Sequence, residues 1–233
     1  MSRLCKMGFI QAYLEYTSNQ QSPQSFHTWT AIGLISTVLG RKVSMDISYY
    51  TLYPNLYIIL VSPSGVGMKT TALRIGIDLL ESSAIPINIL KGKITPARLI
   101  SRLNSIATQS PGGNAELLVF SREFRVFTKG IMQDSSLIED LSDLYDGDTF
   151  DYDTEHAARY QIKRPYITVL AASTPEWLSG SGAGDLLSGG FGARSLPITI
   201  IRDEKEIAWT EKTAMSMKLE EKLIHDLKEI STL

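Results

Sequence analysis

Residues 56–61, Leu56-Tyr57-Ile58-Ile59-Leu60-Val61, form an unbroken apolar run that gives way at once to Ser62-Pro63-Ser64-Gly65-Val66-Gly67-Met68-Lys69-Thr70-Thr71. A segment apolar at every position is buried on both faces, which is the condition of an inner parallel strand. Ala72, Leu73, Ile75, Gly76, Leu79 and Leu80 then recur at helical spacing. Strand, glycine turn and helix in that order restrict the chain to a parallel α/β architecture. The turn also carries chemistry. Phosphates concentrate negative charge, so a loop that holds them needs unobstructed backbone N–H groups, a cation, and a hydroxyl for magnesium. Gly65 and Gly67 let the backbone curl, Lys69 supplies the cation, and Thr70 or Thr71 supplies the hydroxyl, with Ser64, Val66 and Met68 completing the loop. Against the pattern G-x-x-x-x-G-K-[ST], Ser62 stands at the first glycine and Met68 is inserted before the lysine. A plain glycine–serine turn before a helix is the competing reading of the same residues.

With 233 residues, 43% of them hydrophobic, the chain is long enough to bury a full core. It divides into a helical preface with a short strand (residues 1–50), a core built on the glycine loop (51–205) and an amphipathic tail (206–233). The nearly apolar stretch at residues 29–39 is shorter than the ~20 residues a membrane helix requires. No charged-then-apolar signal segment opens the chain, so a cytoplasmic location without a membrane partner is expected. Cys5 is the sole cysteine, which excludes an intrachain disulfide and zinc sites built on cysteine pairs. Twenty-three basic against 25 acidic residues give a net charge of −2, so any contact with nucleic acid must be local.

Along the chain, Phe9, Ile10, Tyr13 and Leu14 mark one helical face. Ser22-Pro23-Gln24-Ser25 supplies a turn and an N-cap for a second helix, which carries Trp29, Ile32, Leu34, Ile35, Val38 and Leu39 and ends at Gly40. Arg41-Lys42 reads as a solvated helix end, and Val43, Met45 and Ile47 alternate as a short strand. Residues 85–90 make a second core strand, which Pro86 assigns to a sheet edge. Thr95-Pro96 starts a helix. The strand Leu117-Leu118-Val119-Phe120 runs into Ser121-Arg122-Glu123. It is expected beside the glycine-loop strand, with Glu123 polarising an attacking water and Ser121, in place of the usual aspartate, holding a magnesium-bound water. A surface carboxylate at a strand end is the alternative.

From residue 135 a helix carries Leu137, Ile138, Leu141, Leu144 and Tyr145. Phe150-Asp151-Tyr152-Asp153 and Tyr160-Gln161-Ile162 alternate as a β-hairpin. A further buried strand, residues 166–172, ends in Ser173-Thr174-Pro175-Glu176-Trp177-Leu178. Its polar tip is expected beside the glycine loop, because ligands of open α/β sheets sit at the carboxyl ends of strands. Gly189-Gly190-Phe191-Gly192-Ala193-Arg194 presents an arginine suited to a phosphate, its own or a neighbour's, or to a structural carboxylate. Leu219, Leu223, Leu227 and Ile230 stripe the tail helix, which needs a partner.

In this order, the expanded loop ending Met68-Lys69-Thr70-Thr71, Thr95-Pro96, the strand ending at Glu123, Ala171-Ala172-Ser173-Thr174-Pro175-Glu176-Trp177-Leu178 and the glycine–phenylalanine–arginine turn resemble phage- and plasmid-type replicative helicases. These are P-loop ATPases, including the helicase parts of primase–helicase proteins, with a layout similar to AAA+ and superfamily III enzymes. The resemblance covers most of the chain, and an extra basic or neutral residue before the lysine is also found in that family. It implies a mainly parallel sheet flanked by helices, with a β-hairpin inserted before the sensor strand. It further implies ATP and Mg2+ as ligands, a homo-oligomer of hexameric-ring type, and single-stranded or forked DNA as partner. By position, Lys69 would bind the β- and γ-phosphates, Thr70 the magnesium and Glu123 the water. Ser173 or Thr174 would sense the γ-phosphate and Arg194 would be the arginine finger. His156 and Arg159, in the hairpin loop, would face DNA. Two other classes share the loop: a nucleotide-dependent assembly switch or helicase loader with slow hydrolysis, and a small-molecule phosphotransferase.

Overall fold

A computed structural model of the chain describes residues 7–127, 136–153, 159–179, 189–200 and 213–233. The preface holds α1 (Phe9–Tyr16), α2 (Gln24–Leu39), β1 (Met45–Ile47) and β2 (Tyr50–Leu52). Then follow β3 (Tyr57–Val61), α3 (Lys69–Ser82), β4 (Ile89–Lys91), α4 (Pro96–Gln109), β5 (Ala115–Ser121), α5 (Phe124–Phe127) and α6 (Ser136–Tyr145). The chain continues through β6 (Phe150–Tyr152), β7 (Tyr160–Ile162), β8 (Pro165–Ser173), α7 (Pro175–Ser179), α8 (Gly190–Arg194), β9 (Ser195–Thr199) and α9 (Ala214–Ser231).

Five strands form one all-parallel sheet in the order β4-β5-β8-β3-β9. Every residue of β3 and β8 is buried, as the uniform apolar character of their sequences requires. Alternate side chains feed two cores. On one face Ile58, Leu60 and Leu170 meet Leu73 and Ile77 of α3, Phe26 and Leu34 of α2, and Tyr13 of α1. On the other, Ile59, Val119 and Val169 meet Leu99 and Leu103 of α4, Leu141 and Leu144 of α6, and Phe191 of α8. The tail stripe finds its partner within the chain. Leu219, Leu223 and Leu227 are buried in the same core as α1, α2 and α3, and a fully buried leucine contributes about 1.5–3 kcal/mol.

One expectation about adjacency fails. The strand that ends before Glu123, β5, is separated from β3 by β8. The reason is the path of the chain. From β3 it crosses through α3 on one face to the sheet edge at β4, then returns through α4 and α6 on the other face, laying down β5 and then β8. Right-handed crossovers require these opposite faces for opposite directions of travel, and the return leg fills the gap next to β3.

Local signals elsewhere behave as their chemistry predicts, with two exceptions. The Thr95 hydroxyl accepts from the Arg98 amide at 3.4 Å and Pro96 opens α4, while Gly40 ends α2 with φ of 55°. The cap expected near Ser22 is absent. Pro23 occupies the N-cap of α2 without a side-chain bond, and the Ser22 hydroxyl lies 2.7 Å from Nε2 of buried His27 instead. The strand expected over residues 85–90 is confined to Ile89–Lys91, at the sheet edge as Pro86 implied and clear of that proline.

Two antiparallel ribbons stand outside the sheet. β6 and β7 immediately precede β8, as expected. β1 pairs with β2, a strand that sequence patterning did not suggest. Their register puts Met45, Ile47, Tyr50 and Leu52 on one face, while Thr51 donates to Asp46 at 2.8 Å on the other.

Candidate functional site

Two adjacent strands, β3 and β8, send the chain to opposite faces of the sheet. After β3 the chain enters α3, packed with α1 and α2. After β8 it enters α7, whose Leu178 lies in the opposite core. Such a divergence opens a crevice at the carboxyl ends of the pair, the place where open α/β sheets bind ligands. Val61 is in register with Ser173, and the Ser62 amide donates to the Ser173 carbonyl at 3.3 Å. The glycine loop and the Ser173-Thr174 tip therefore face each other across this crevice.

The loop is shaped by three successive departures from ordinary backbone. Gly65 and Gly67 adopt φ of 76° and 70°, and Met68 follows at φ 43°, ψ 36° as the residue preceding α3. A left-handed non-glycine residue costs about 1–2 kcal/mol, and such strain collects at functional sites. The inserted methionine is thus absorbed as one left-handed step, and its side chain is 42% exposed. A Cβ at Gly67 would lie 2.3 Å from Ile200 Cδ1 and 3.3 Å from Phe26 Cε2, so the underside of the bend rests on the start of α2 and the exit of β9.

Ser62, at the position of the missing glycine, braces the bend. It is buried, and its hydroxyl donates to the Val66 carbonyl at 2.7 Å. Lys69 curls back into the turn. Its Nζ lies 2.9 Å from the Ser62 carbonyl, 3.1 Å from the Pro63 carbonyl and 3.2 Å from the Ser62 hydroxyl. Burial lowers its pKa from the usual lysine range, opposed by the carboxylates of Glu176 and Glu123. Among the described residues, no backbone carbonyl accepts from the amides of Gly65, Gly67, Lys69 or Thr70. Those N–H groups, at the start of the 14-residue α3, carry the positive end of its dipole.

The remaining predicted residues fall into three groups. Near the loop, Thr70 Oγ1 is 3.5 Å from the Arg122 carbonyl, which brings the start of α3 against the end of β5 although these strands are not neighbours. Glu123 is exposed there, whereas the Ser121 hydroxyl donates to the Glu123 carbonyl at 2.9 Å and so is turned onto its own chain. Ser173 is buried, and its hydroxyl has no hydrogen-bond partner among the described residues; Thr174 is half-buried beside it. Thr71 donates its amide to the Met68 carbonyl in the first turn of α3, while Ser64 and Val66 are exposed.

Far from the loop lies Arg194. It precedes Ser195, which is in register with Tyr57 at the amino end of β3. The full length of a five-residue strand, about 13 Å or more, therefore separates it from the loop of its own chain. There Asp146 clasps it, with Nε–Oδ1 at 3.3 Å and Nη2–Oδ2 at 2.8 Å, and this hydrogen-bonded carboxylate raises its pKa. Arg159 is exposed, with Nε 3.6 Å from Asp153. His156 and Cys5 lie outside the described residues.

The sequence assigned Glu176 no role of its own, yet its negative charge acts on Lys69 and opposes the lowering of that lysine's pKa by burial. The available signal was its place in the first turn of the Pro175 helix, directly after a polar strand tip. Among the described residues, no group of three or more His, Cys, Asp or Glu side chains is placed to hold a metal, and no described helix is long and apolar enough to cross a membrane. The donor set nonetheless suits magnesium, which keeps most of its waters and takes one or two protein ligands alongside phosphate oxygens. No protein-family model matches the chain, and no curated protein matches it.

Proposed function

We propose that this chain binds ATP with Mg2+ in the crevice between β3 and β8 and hydrolyses it, as the motor domain of a replicative DNA helicase of a phage or plasmid. The observation that carries the reading is the position of the Lys69 ammonium, held inside a left-handed glycine bend whose amides at Gly65, Gly67, Lys69 and Thr70 have no carbonyl acceptor among the described residues, at the end of the strand paired with the one that carries the orphaned Ser173 hydroxyl. A triphosphate would take the place of the loop carbonyls as partner of that ammonium and satisfy the amides and Ser173 together. Thr70 would hold the magnesium ion, which when bound supplies charge neutralisation at the transferred phosphoryl group. Glu123 would accept the proton of the attacking water, with Glu176 as a second carboxylate near the ammonium. Arg194 can reach a phosphate only from a neighbouring copy, so full turnover requires an oligomer. The helicase role and DNA as partner rest on the motif order described above.

A second reading, a nucleotide-dependent assembly switch with slow hydrolysis, is favoured by one contact. The Ser121 hydroxyl is occupied by the Glu123 carbonyl and adds no charge where an aspartate is usual.

Lys69→Ala tests both. Removal of a charge-assisted hydrogen bond of about 1.5–3 kcal/mol should weaken ATP about 10- to 150-fold, read by calorimetric titration. Unchanged affinity would remove the loop from nucleotide binding. Hydrolysis by the native chain, accelerated by single-stranded DNA, separates the motor from the switch.

A further inference from the structure

At the outer carboxyl edge of the sheet, away from the crevice, the ends of β4 and β5 gather an unusual set of cations. Lys91 is in register with Phe120, so the residues that follow each strand emerge side by side. Lys93 and Arg98 follow β4, Arg122 and Arg125 follow β5, and all four are exposed. Local structure fixes them there. Gly92 turns the chain at φ 95°, Thr95 caps α4 so that Arg98 lies in its first turn, and Arg102 ties α4 to the Ile89 carbonyl at 2.9 Å.

Strand register brings these cations together. Elsewhere Arg74 pairs with Asp78, Arg159 with Asp153 and Arg194 with Asp146, and exposed Lys163, Lys218 and Lys228 have no carboxylate within ion-pair distance among the described residues but are not set side by side by paired strands. Here Lys91 is paired with Glu81 at 2.6 Å. Among the described residues, no carboxylate lies within ion-pair distance of Lys93, Arg98 or Arg122. A chain of net charge −2 has therefore concentrated unpaired positive charge on one short edge.

We propose that this edge binds the phosphate backbone of single-stranded nucleic acid, with Lys93, Arg98 and Arg122 as the contacts. Neighbouring cations without ion-pair partners suit a flexible polyanion, because each phosphate engaged releases a condensed counterion. The site also has a route to the crevice. The Arg122 carbonyl lies 3.5 Å from Thr70 Oγ1, and Arg122 is followed directly by Glu123. A strand pulling on the Arg122 side chain shifts the backbone that carries the carboxylate assigned to water activation. This coupling rests on the nucleotide reading above; the binding itself does not.

The test is fluorescence anisotropy of a labelled 20-nucleotide oligo(dT) across a salt series, with the native chain, the triple variant K93Q/R98Q/R122Q, and R74Q, which removes an exposed cation already paired with Asp78. Neutral glutamines preserve length and exposed positions, and circular dichroism melting checks that each variant is folded. The triple variant should lower the slope of log affinity against log salt by about 2, from ~0.7 per phosphate contact on single strands. Its affinity should drop at least tenfold in dilute salt, whereas R74Q should match the native chain. An unchanged slope in the folded triple variant, or no oligo(dT) binding by the native chain at low salt, overturns the proposal. ATP titrations on the same proteins separate the two readings. A native chain that binds oligo(dT) but not ATP keeps this surface and loses the motor.

Discussion

The two ends of the parallel sheet are built from the same strands and treated in opposite ways. At the amino end polar groups close on one another, save the buried Asn114 Oδ1 before β5. Arg41 donates to the Gly147 and Pro165 carbonyls at 2.9 and 2.8 Å, its amide reaches Glu116, and its guanidinium lies 3.8 Å over the Tyr53 ring. Asn55 donates to the Tyr145 carbonyl and the Tyr57 hydroxyl to that of Leu141, both at 2.8 Å. At the carboxyl end the Ser173 hydroxyl, the loop amides and three cations lack such partners among the described residues. Strand geometry does not cause this difference; the connections do. Most of those entering the strands knit the fold together, and those leaving them retain unspent hydrogen-bonding and charge, the resource on which the proposed binding draws.

Arg194 gives the sharpest way to break that contrast, because it is the amino-end residue assigned a chemical role. Arg194→Ala should lower ATP turnover of the assembled protein by ~10³-fold or more with ATP affinity kept, as for arginine fingers generally. A drop below tenfold accompanied by a lower Tm would reduce it to the partner of Asp146, and the amino end would then be purely structural. Glu123→Gln probes the other end with the next largest effect. Loss of a general base costs about 10²- to 10⁴-fold in turnover, and nucleotide binding should persist. Equal, slow rates in this variant and the native chain would instead favour the assembly switch.

Arg41→Ala should act on stability alone. Two carbonyls lose their donor and Tyr53 loses its cation, a cost of about 1–3 kcal/mol. For a domain of this size each kcal/mol lowers Tm by roughly 2–4 °C. Differential scanning calorimetry would show the shift, and ATP titration should show no change; weakened ATP binding would mean that the two ends are coupled.

Much of this was legible locally. β3, the bend and α3 followed from an apolar run, glycines and helical spacing, and α4 from Thr95-Pro96, because each signal is contained within a few residues. The order of strands was not, since nothing in the composition of β5 or β8 says which lies next to β3; that depends on the face each crossover takes. The same nonlocality hid Glu176, which approaches Lys69 only because β8 adjoins β3. Ser22 misled for a related reason. A hydroxyl before a helix is a cap unless a buried histidine nearby claims it, and His27 is placed by tertiary packing. The β1–β2 ribbon escaped notice because its turn, Ser48-Tyr49, lacks glycine or proline, and Ser48 takes φ of 51° unaided.

Gly67 leaves one further mark on the molecule. Its missing side chain is the clearance between the bend and two distant parts of the chain, Phe26 and Ile200. Bulk added there would strain a left-handed backbone, displace the Ile200 side-chain tip and press on the Phe26 ring at the start of α2. The glycine bend and the start of α2 thus lie within the width of a single methyl group of each other.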